Sequence, residues 1–237
     1  MRLSVNIDHF TTLREARRAA EPEPVLAALL AEQAGASGIV CHMRGDKRHI
    51  KERDLRLLRE TVKTKLNLEM AATEEMKRTA LTVKPDVVSL VPEHPEELTT
   101  EGGLSVRKQA RRLKSFIDDL KRAGIRVSIF IDPDQAEIAA AAELGLDLIE
   151  INTGRYADLV TGPAATKALE GIRKSAEFAW TRDLEVHAGH GLDYRNVKPV
   201  VAIPQITELS IGFSIIARSA IVGIERAVKD MLALLEG

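Results

Sequence analysis

The sequence predicts a (β/α)8 TIM barrel with extra helices, and three observations carry that prediction. Short runs rich in apolar and β-branched residues alternate with longer segments of helical period, the order expected of parallel β/α units. Several helical segments reach the next run through a glycine (Gly35, Gly124, Gly145), the usual C-terminal stop signal. No Gly-x-Gly-x-x-Gly follows the first run, where a doubly wound dinucleotide-binding sheet would carry it. Eight rounds within 237 residues match one barrel, and no linker, repeat or low-complexity tract divides the chain, so residues 1–237 are expected to form a single domain.

The strands are expected at Leu3–Ile7, Gly38–His42, Leu66–Met70, Asp86–Val91, Arg126–Ile131, Leu148–Ile151, Leu184–His187 and Glu208–Ile211. Helices are expected at Pro24–Gln33, Glu52–Thr61, Thr73–Val83, Val106–Ala123, Pro133–Leu144, Pro163–Trp180 and Ser214–Leu235, with a short one near Asn196–Ala202. Pro24 suits a first-turn position, and Thr73 is an N-cap candidate followed by acids. The polar stretch Glu93–Ser105 reads either as a mobile lid or as an ordinary connection. Thr11–Glu23 reads as a connection carrying Arg14, Arg17 and Arg18, which either reach an anionic substrate or form a solvated basic face.

Composition excludes several function classes. Lys plus Arg (34) nearly cancels Asp plus Glu (35), so nothing favours nucleic acid or anionic lipid as a partner. The single cysteine, Cys41, rules out an intrachain disulfide and fits a reducing compartment. No signal peptide is expected at the N-terminus, and no apolar run reaches the roughly 20 residues of a membrane span. A cytoplasmic enzyme is the expectation.

His9, His42, His49, His187 and His190 all sit in or just after strand ends, where barrels keep their chemistry, and histidine suits proton transfer near neutrality. Asn6 and Asp8 alternate along the first strand end, so they either face one pocket or form a solvated cap. His42 closes a buried strand and leads into a basic loop in which Arg44 and His49 can bind oxygen-rich groups, whereas Lys47 and Arg48 fit a solvated charge run. Asn67 and Glu69 share one strand face. A carboxyl in a barrel mouth is raised toward a useful pKa, the competing role being a structural ion pair. Glu150 repeats that situation on the sixth strand, with a weaker case by itself.

The turns around Gly189–Gly191 and Gly212–Ser214, after the seventh and eighth strands, suit a phosphate held by backbone N–H groups at a helix start. A metal site built from His187 and His190 with Asp8, His9 or Glu69 is the rival reading. No His-Glu-x-x-His helix or paired cysteine motif accompanies those residues.

Taken in order, VNIDH, HMRGDKRHI, NLEMAATEEM, LVPE, TTEGGL, FIDPD, TGRYA and AGHGLDYRNV resemble the pyridoxine 5'-phosphate synthase family over nearly the whole chain. The resemblance implies a barrel assembled as an octamer. It implies condensation of 1-deoxy-D-xylulose 5-phosphate with 3-amino-2-oxopropyl phosphate, without metal or organic cofactor. It further implies His42 as proton acceptor, Glu69 as a second acid/base, His190 as proton donor and Glu150 as transition-state stabiliser. Asn6, Arg17, Gly191, Gly212 and Phe213 would bind the amino-ketone phosphate; Asp8, His9, Arg44, His49 and Thr99 would bind the deoxyxylulose phosphate.

Three positions depart from the family pattern. Phe213 and Asn152 replace histidines, and His187 replaces an asparagine, which leaves His187 without a proton-carrying role. Two other functions compete: a phosphosugar aldolase or isomerase on the same barrel, and a silent phosphate-ligand sensor. An aldolase would show a Schiff-base lysine at a strand end, and a sensor has no need of three proton carriers.

Overall fold

The computed structural model describes residues 1–93, 102–159 and 161–236. Eight parallel strands close a barrel in sequence order: β1 (Arg2–Asn6), β2 (Gly38–His42), β3 (Leu66–Met70), β4 (Val87–Leu90), β5 (Arg126–Ile131), β6 (Leu148–Asn152), β7 (Glu185–Gly189) and β8 (Ile206–Ile211). The seam pairs Ser4 of β1 with Ser210 of β8, and one register irregularity falls at Val186/His187.

Among the described residues eleven helices accompany them: α1 (Asp8–Arg17), α2 (Pro24–Gln33), α3 (Glu52–Thr61), α4 (Glu74–Val83), α5 (Val106–Arg122), α6 (Gln135–Glu143), α7 (Gly154–Ala157), α8 (Pro163–Trp180), α9 (Val197–Val201), α10 (Phe213–Val222) and α11 (Ile224–Leu235). Local chemistry sets several starts. Thr73 accepts the Met76 N–H, Asp134 accepts the Ala136 N–H, and Pro24 opens α2.

Period-two alternation sends Leu3, Val5, Ile39, Cys41, Leu68 and Ile149 into the fully buried layer beneath the helices. The alternate positions are polar and also buried: Ser4, Asn67, Ser89, Ser128, Glu150, His187 and Glu208. Two pairs link neighbouring strands, Ser4 Oγ donating to Glu208 (2.6 Å) and Ser89 Oγ to Asn67 (3.0 Å).

The structure corrects three expectations. Thr11–Glu23 is not simply a connection, because α1 begins at Asp8 directly after β1 and runs to Arg17. Arg14 is therefore not a ligand candidate: it is buried on that helix and paired with Asp54 of α3 through two bonds of 2.9 and 2.6 Å. Ser214–Leu235 is two helices, broken at Gly223, whose φ of +81° suits only glycine without strain. Short α7, after β6, had no forecast at all.

Candidate active site

A cavity of about 500 Å³ opens at the C-terminal ends of the strands. Its wall gathers Asn6, Asp8, His9, His42, Arg44, His49, Glu69, Glu150, His190, Gly191, Gly212 and Phe213, all candidates from the sequence. Arg17 is not among them. Arg17 lies exposed on the last turn of α1, and Thr99 falls outside the described residues, as does most of the Glu93–Ser105 stretch considered as a lid. Arg48, expected on a solvated face, lines the cavity as well.

The β1 end supplies the centre. Asn6 closes the strand and Asp8 opens α1, where the Asp8 N–H donates to Asn6 Oδ1 (2.9 Å). Asp8 Oδ1 accepts the backbone N–H of His42 (2.8 Å), so the first two strand ends are tied together. Register places His42 beside Glu69, and Asn6 Nδ2 reaches Glu69 Oε2 at 3.4 Å. Burial, then the charges of Glu150 and Asp8, hold the Glu69 carboxyl well above its ordinary range. Burial, then Glu208, lifts Glu150 to about 8 against the opposing pull of Lys65.

On one flank of β1 stands the loop after β2. Arg44 is buried there, and the His49 ring lies 5.9 Å edge-on from His42. Burial lowers the pKa of both His49 and His9, which keeps their imidazoles neutral. The other flank is formed by the turns after β7 and β8. A recess of about 360 Å³ there shares His190, Gly191, Ser210, Gly212 and Phe213 with the main cavity. Gly212 is the N-cap of α10, so the first N–H groups of that helix point toward this recess. A Cβ on Gly212 would stand 3.1 Å from the Asn6 Cβ, so a larger residue would press the two turns apart by a few tenths of an ångström. Phe213 is 69% exposed with its ring 5.3 Å edge-on from His9; its place at the helix start leaves the backbone N–H as its means of binding an anion.

His190 adopts φ +82°, a conformation costly for a non-glycine residue. Thr153 holds it, its hydroxyl lying 2.6 Å from the His190 carbonyl and 2.7 Å from that of Gly189. Asn152 donates to Asp132 (2.8 Å) and accepts the Gly154 N–H (2.8 Å), fixing the neighbouring turn. His187 belongs to another layer. It bonds Glu185 (3.1 Å) and lies 3.8 Å from Glu208, within a charge network that Lys65, Arg2 and Arg126 complete.

Sequence reasoning missed Glu93, Thr153 and Asp132. Glu93 was legible in principle, since it follows the fourth strand as His42 follows the second; the polar stretch behind it drew it into a loop. Its Oε1 lies 3.0 Å from His42 Nε2, and its Oε2 accepts the Gly45 N–H at 3.0 Å. One atom each of Asp8, His42 and Glu69 lie within 4.8 Å of one another, close enough for a divalent cation. Asp8 Oδ1 and His42 Nε2 are already engaged in hydrogen bonds.

Residues 3–237 match the family model described as pyridoxal phosphate biosynthesis protein PdxJ. The chain belongs to this family. A pyridoxine 5'-phosphate synthase of Chlorobium luteolum is 56% identical over 235 residues, covering 99% of this chain and 100% of its own. One from Synechococcus sp. is 56% identical over 229 residues, 97% of this chain and 96% of its own. Among solved structures, phosphoribosyl anthranilate isomerase of Thermus thermophilus superposes with TM-score 0.62 at 15% identity, covering 100% of this chain and 98% of its own. Thiamine phosphate pyrophosphorylase of Pyrococcus furiosus superposes with TM-score 0.63 at 18% identity, covering 99% and 95%. Those two likenesses concern the barrel alone; the PdxJ family is defined by the sequence matches.

Proposed function

We propose that this PdxJ-family chain, as one barrel domain, condenses 1-deoxy-D-xylulose 5-phosphate with 3-amino-2-oxopropyl phosphate to pyridoxine 5'-phosphate, phosphate and water. The observation that carries the proposal is the cavity itself, where His42, Glu69, Glu150 and His190 meet between two anion-binding flanks. The amino-ketone phosphate lies against Asn6, Gly191, Gly212 and Phe213, its phosphate on the α10 N-terminus. The deoxyxylulose phosphate lies against Asp8, His9, Arg44 and His49 on the other flank, with Thr99 joining by family resemblance. Arg17 is retained on resemblance alone, for it lies nine residues, about 13 Å of helix, beyond Asp8 at the start of α1.

Amine addition, loss of water, loss of phosphate and ring closure each move protons. His42 accepts one from the substrate. Glu69, whose carboxyl burial holds well above the ordinary range, donates one and takes it back. His190 protonates a departing oxygen, and Glu150, lifted to about 8, hydrogen-bonds the developing charge. No metal or organic cofactor enters these steps.

No lysine lines the cavity among the described residues, and Lys65 is committed to Glu208, which speaks against an aldolase working through a Schiff base. Among the described residues no helix is long and apolar enough to cross a membrane. A cytoplasmic setting is supported by the buried, unpaired Cys41. Octameric assembly is implied by resemblance, and Leu13 (55% exposed), Leu26 (55%) and Ile221 (85%) on helices α1, α2 and α10 are apolar side chains that contact between copies would cover. Light scattering should give eight chains per particle. The decisive test is incubation of metal-stripped protein with both substrates: pyridoxine 5'-phosphate is the expected product, and its absence at high enzyme concentration refutes the proposal.

A further inference from the structure

Glu93 touches the proposed base without belonging to any role assigned above. The carboxylate stands just past β4 and spans two partners. One oxygen lies 3.0 Å from His42 Nε2, and the other accepts the Gly45 N–H, also at 3.0 Å. Both side chains are well shielded, at 7% exposure for His42 and 14% for Glu93, so the contact is no solvent-screened surface pair. Burial pulls the Glu93 carboxyl upward, yet the hydrogen bonds from His42 and Gly45, together with the charges of His42 and Arg44, hold it below the ordinary range. An ionised carboxylate only accepts hydrogen bonds. The proton between Glu93 and His42 therefore sits on the imidazole.

We propose that Glu93 is a positioning residue which fixes His42 as the Nε2–H tautomer, leaving Nδ1 as the nitrogen that takes the substrate proton. The arrangement follows the carboxylate–imidazole logic of acid/base dyads: the carboxylate aims the ring, selects the tautomer and stabilises the imidazolium that forms. Protonation at Nδ1 places both ring protons on His42, and Nε2–H stays on Glu93 throughout. The other charged or titratable groups around the ring are Asp8, Glu69, Arg44 and His49. Asp8 and Glu69 come within 4.8 Å with one ligand atom each, and the His49 ring stands 5.9 Å away. Among the described residues it is Glu93 that bonds Nε2, so the tautomer is selected by Glu93. The Gly45 bond adds a second consequence: the same carboxylate pins the loop that carries Arg44, so the base and a phosphate ligand are set by one side chain.

The inference rests on the function proposed above for its kinetic half, and its test includes a part independent of turnover. In wild-type protein labelled with 15N, long-range proton–nitrogen correlation of neutral His42 should show a protonated Nε2 and a bare Nδ1. A protonated Nδ1 overturns the proposal without any variant being made, even where no product forms. In Glu93→Gln the acid limb of kcat/KM should move to lower pH, because an imidazolium loses its neighbouring negative charge. Its kcat should fall by ~100-fold with little change in KM for either substrate. Glu93→Asp, which keeps the charge on a shorter arm, should restore the position of the limb. An unmoved limb and near-normal kcat in Glu93→Gln overturn the proposal, and a rise confined to KM assigns Glu93 to holding the Arg44 loop instead.

Discussion

His42 and Glu69 stand side by side in register on β2 and β3, yet their surroundings give them opposite tasks. His42 has an acceptor at Nε2; Glu69 is buried among other acids, which hold its carboxyl well above the ordinary range and suit it to the donor role proposed above. Removing either should break the cycle at a different step. His42→Ala and Glu69→Gln are each expected to lower turnover by ~100-fold or more while leaving the melting temperature near that of the wild type. Steady-state kinetics beside thermal melts check this, and near-normal turnover in either variant refutes its role. Gly212 acts through shape alone. Its missing Cβ lets the α10 turn approach Asn6, so Gly212→Ala should push the two apart and raise KM for the amino-ketone phosphate by about tenfold, or ~1.4 kcal/mol. An equal rise for the deoxyxylulose phosphate would contradict the assignment of the two flanks.

At the scale of elements, α1 shows most plainly what a sequence hides. The strands were legible because period-two alternation and β-branched residues repeat at every turn of the barrel, and strand ends located most of the site. Helix α1 was not legible: Asp8–Arg17 starts immediately after β1, and its stripe of apolar residues is thin. What holds it is Arg14, bound bidentately to Asp54 some forty residues later in the chain, a contact no local pattern announces. Gly223 hid in a different way, interrupting an apolar periodicity that continues on either side of it. Thr153 and Glu93 escaped because each matters through contacts made across strand ends, with His190 and His42 respectively, which the motifs that contain them do not announce. The Arg14–Asp54 pair is buried at 7% and 1% exposure, so breaking it leaves a stranded charge. Arg14→Met should cost about 3–5 kcal/mol in urea unfolding, and Arg14→Met with Asp54→Leu should recover most of that loss. A double variant as unstable as the single one would show that the pair's worth lies in geometry rather than in charge.

Over the whole molecule, the polar barrel interior couples stability to pH in two opposite ways. Glu185 and Glu208 belong to the lower charge network and titrate below their ordinary range. Glu185 is held down by His187 first, with Arg126 and Arg2 adding against the upward pull of burial. For Glu208 burial acts upward, and His187, Lys65 and Ser4 outweigh it. Their contribution is present above the unfolded carboxylate pKa near ~4.3 and is lost as the solution is acidified. Glu69 and Glu150 do the reverse. Their folded pKa values lie above the unfolded one, so the native state binds more protons between roughly pH 4.3 and the folded value, about 8 for Glu150. Their contribution is complete below that window and disappears as pH rises through it. The wild-type melting temperature should therefore fall on both sides of a maximum, and the decline on the alkaline side belongs to the upper acids. Glu150→Gln keeps the shape and a neutral side chain while abolishing the titration, so it should flatten the decline between about pH 5 and 8 and leave the acid limb unchanged. It also removes one of the charges that raise Glu69, so the remaining alkaline decline should end at lower pH. Melting curves across that range decide the matter: an unaltered alkaline slope in Glu150→Gln would show that Glu150 is already ionised in the folded protein, and with it would go its role as a neutral hydrogen-bond donor in the site.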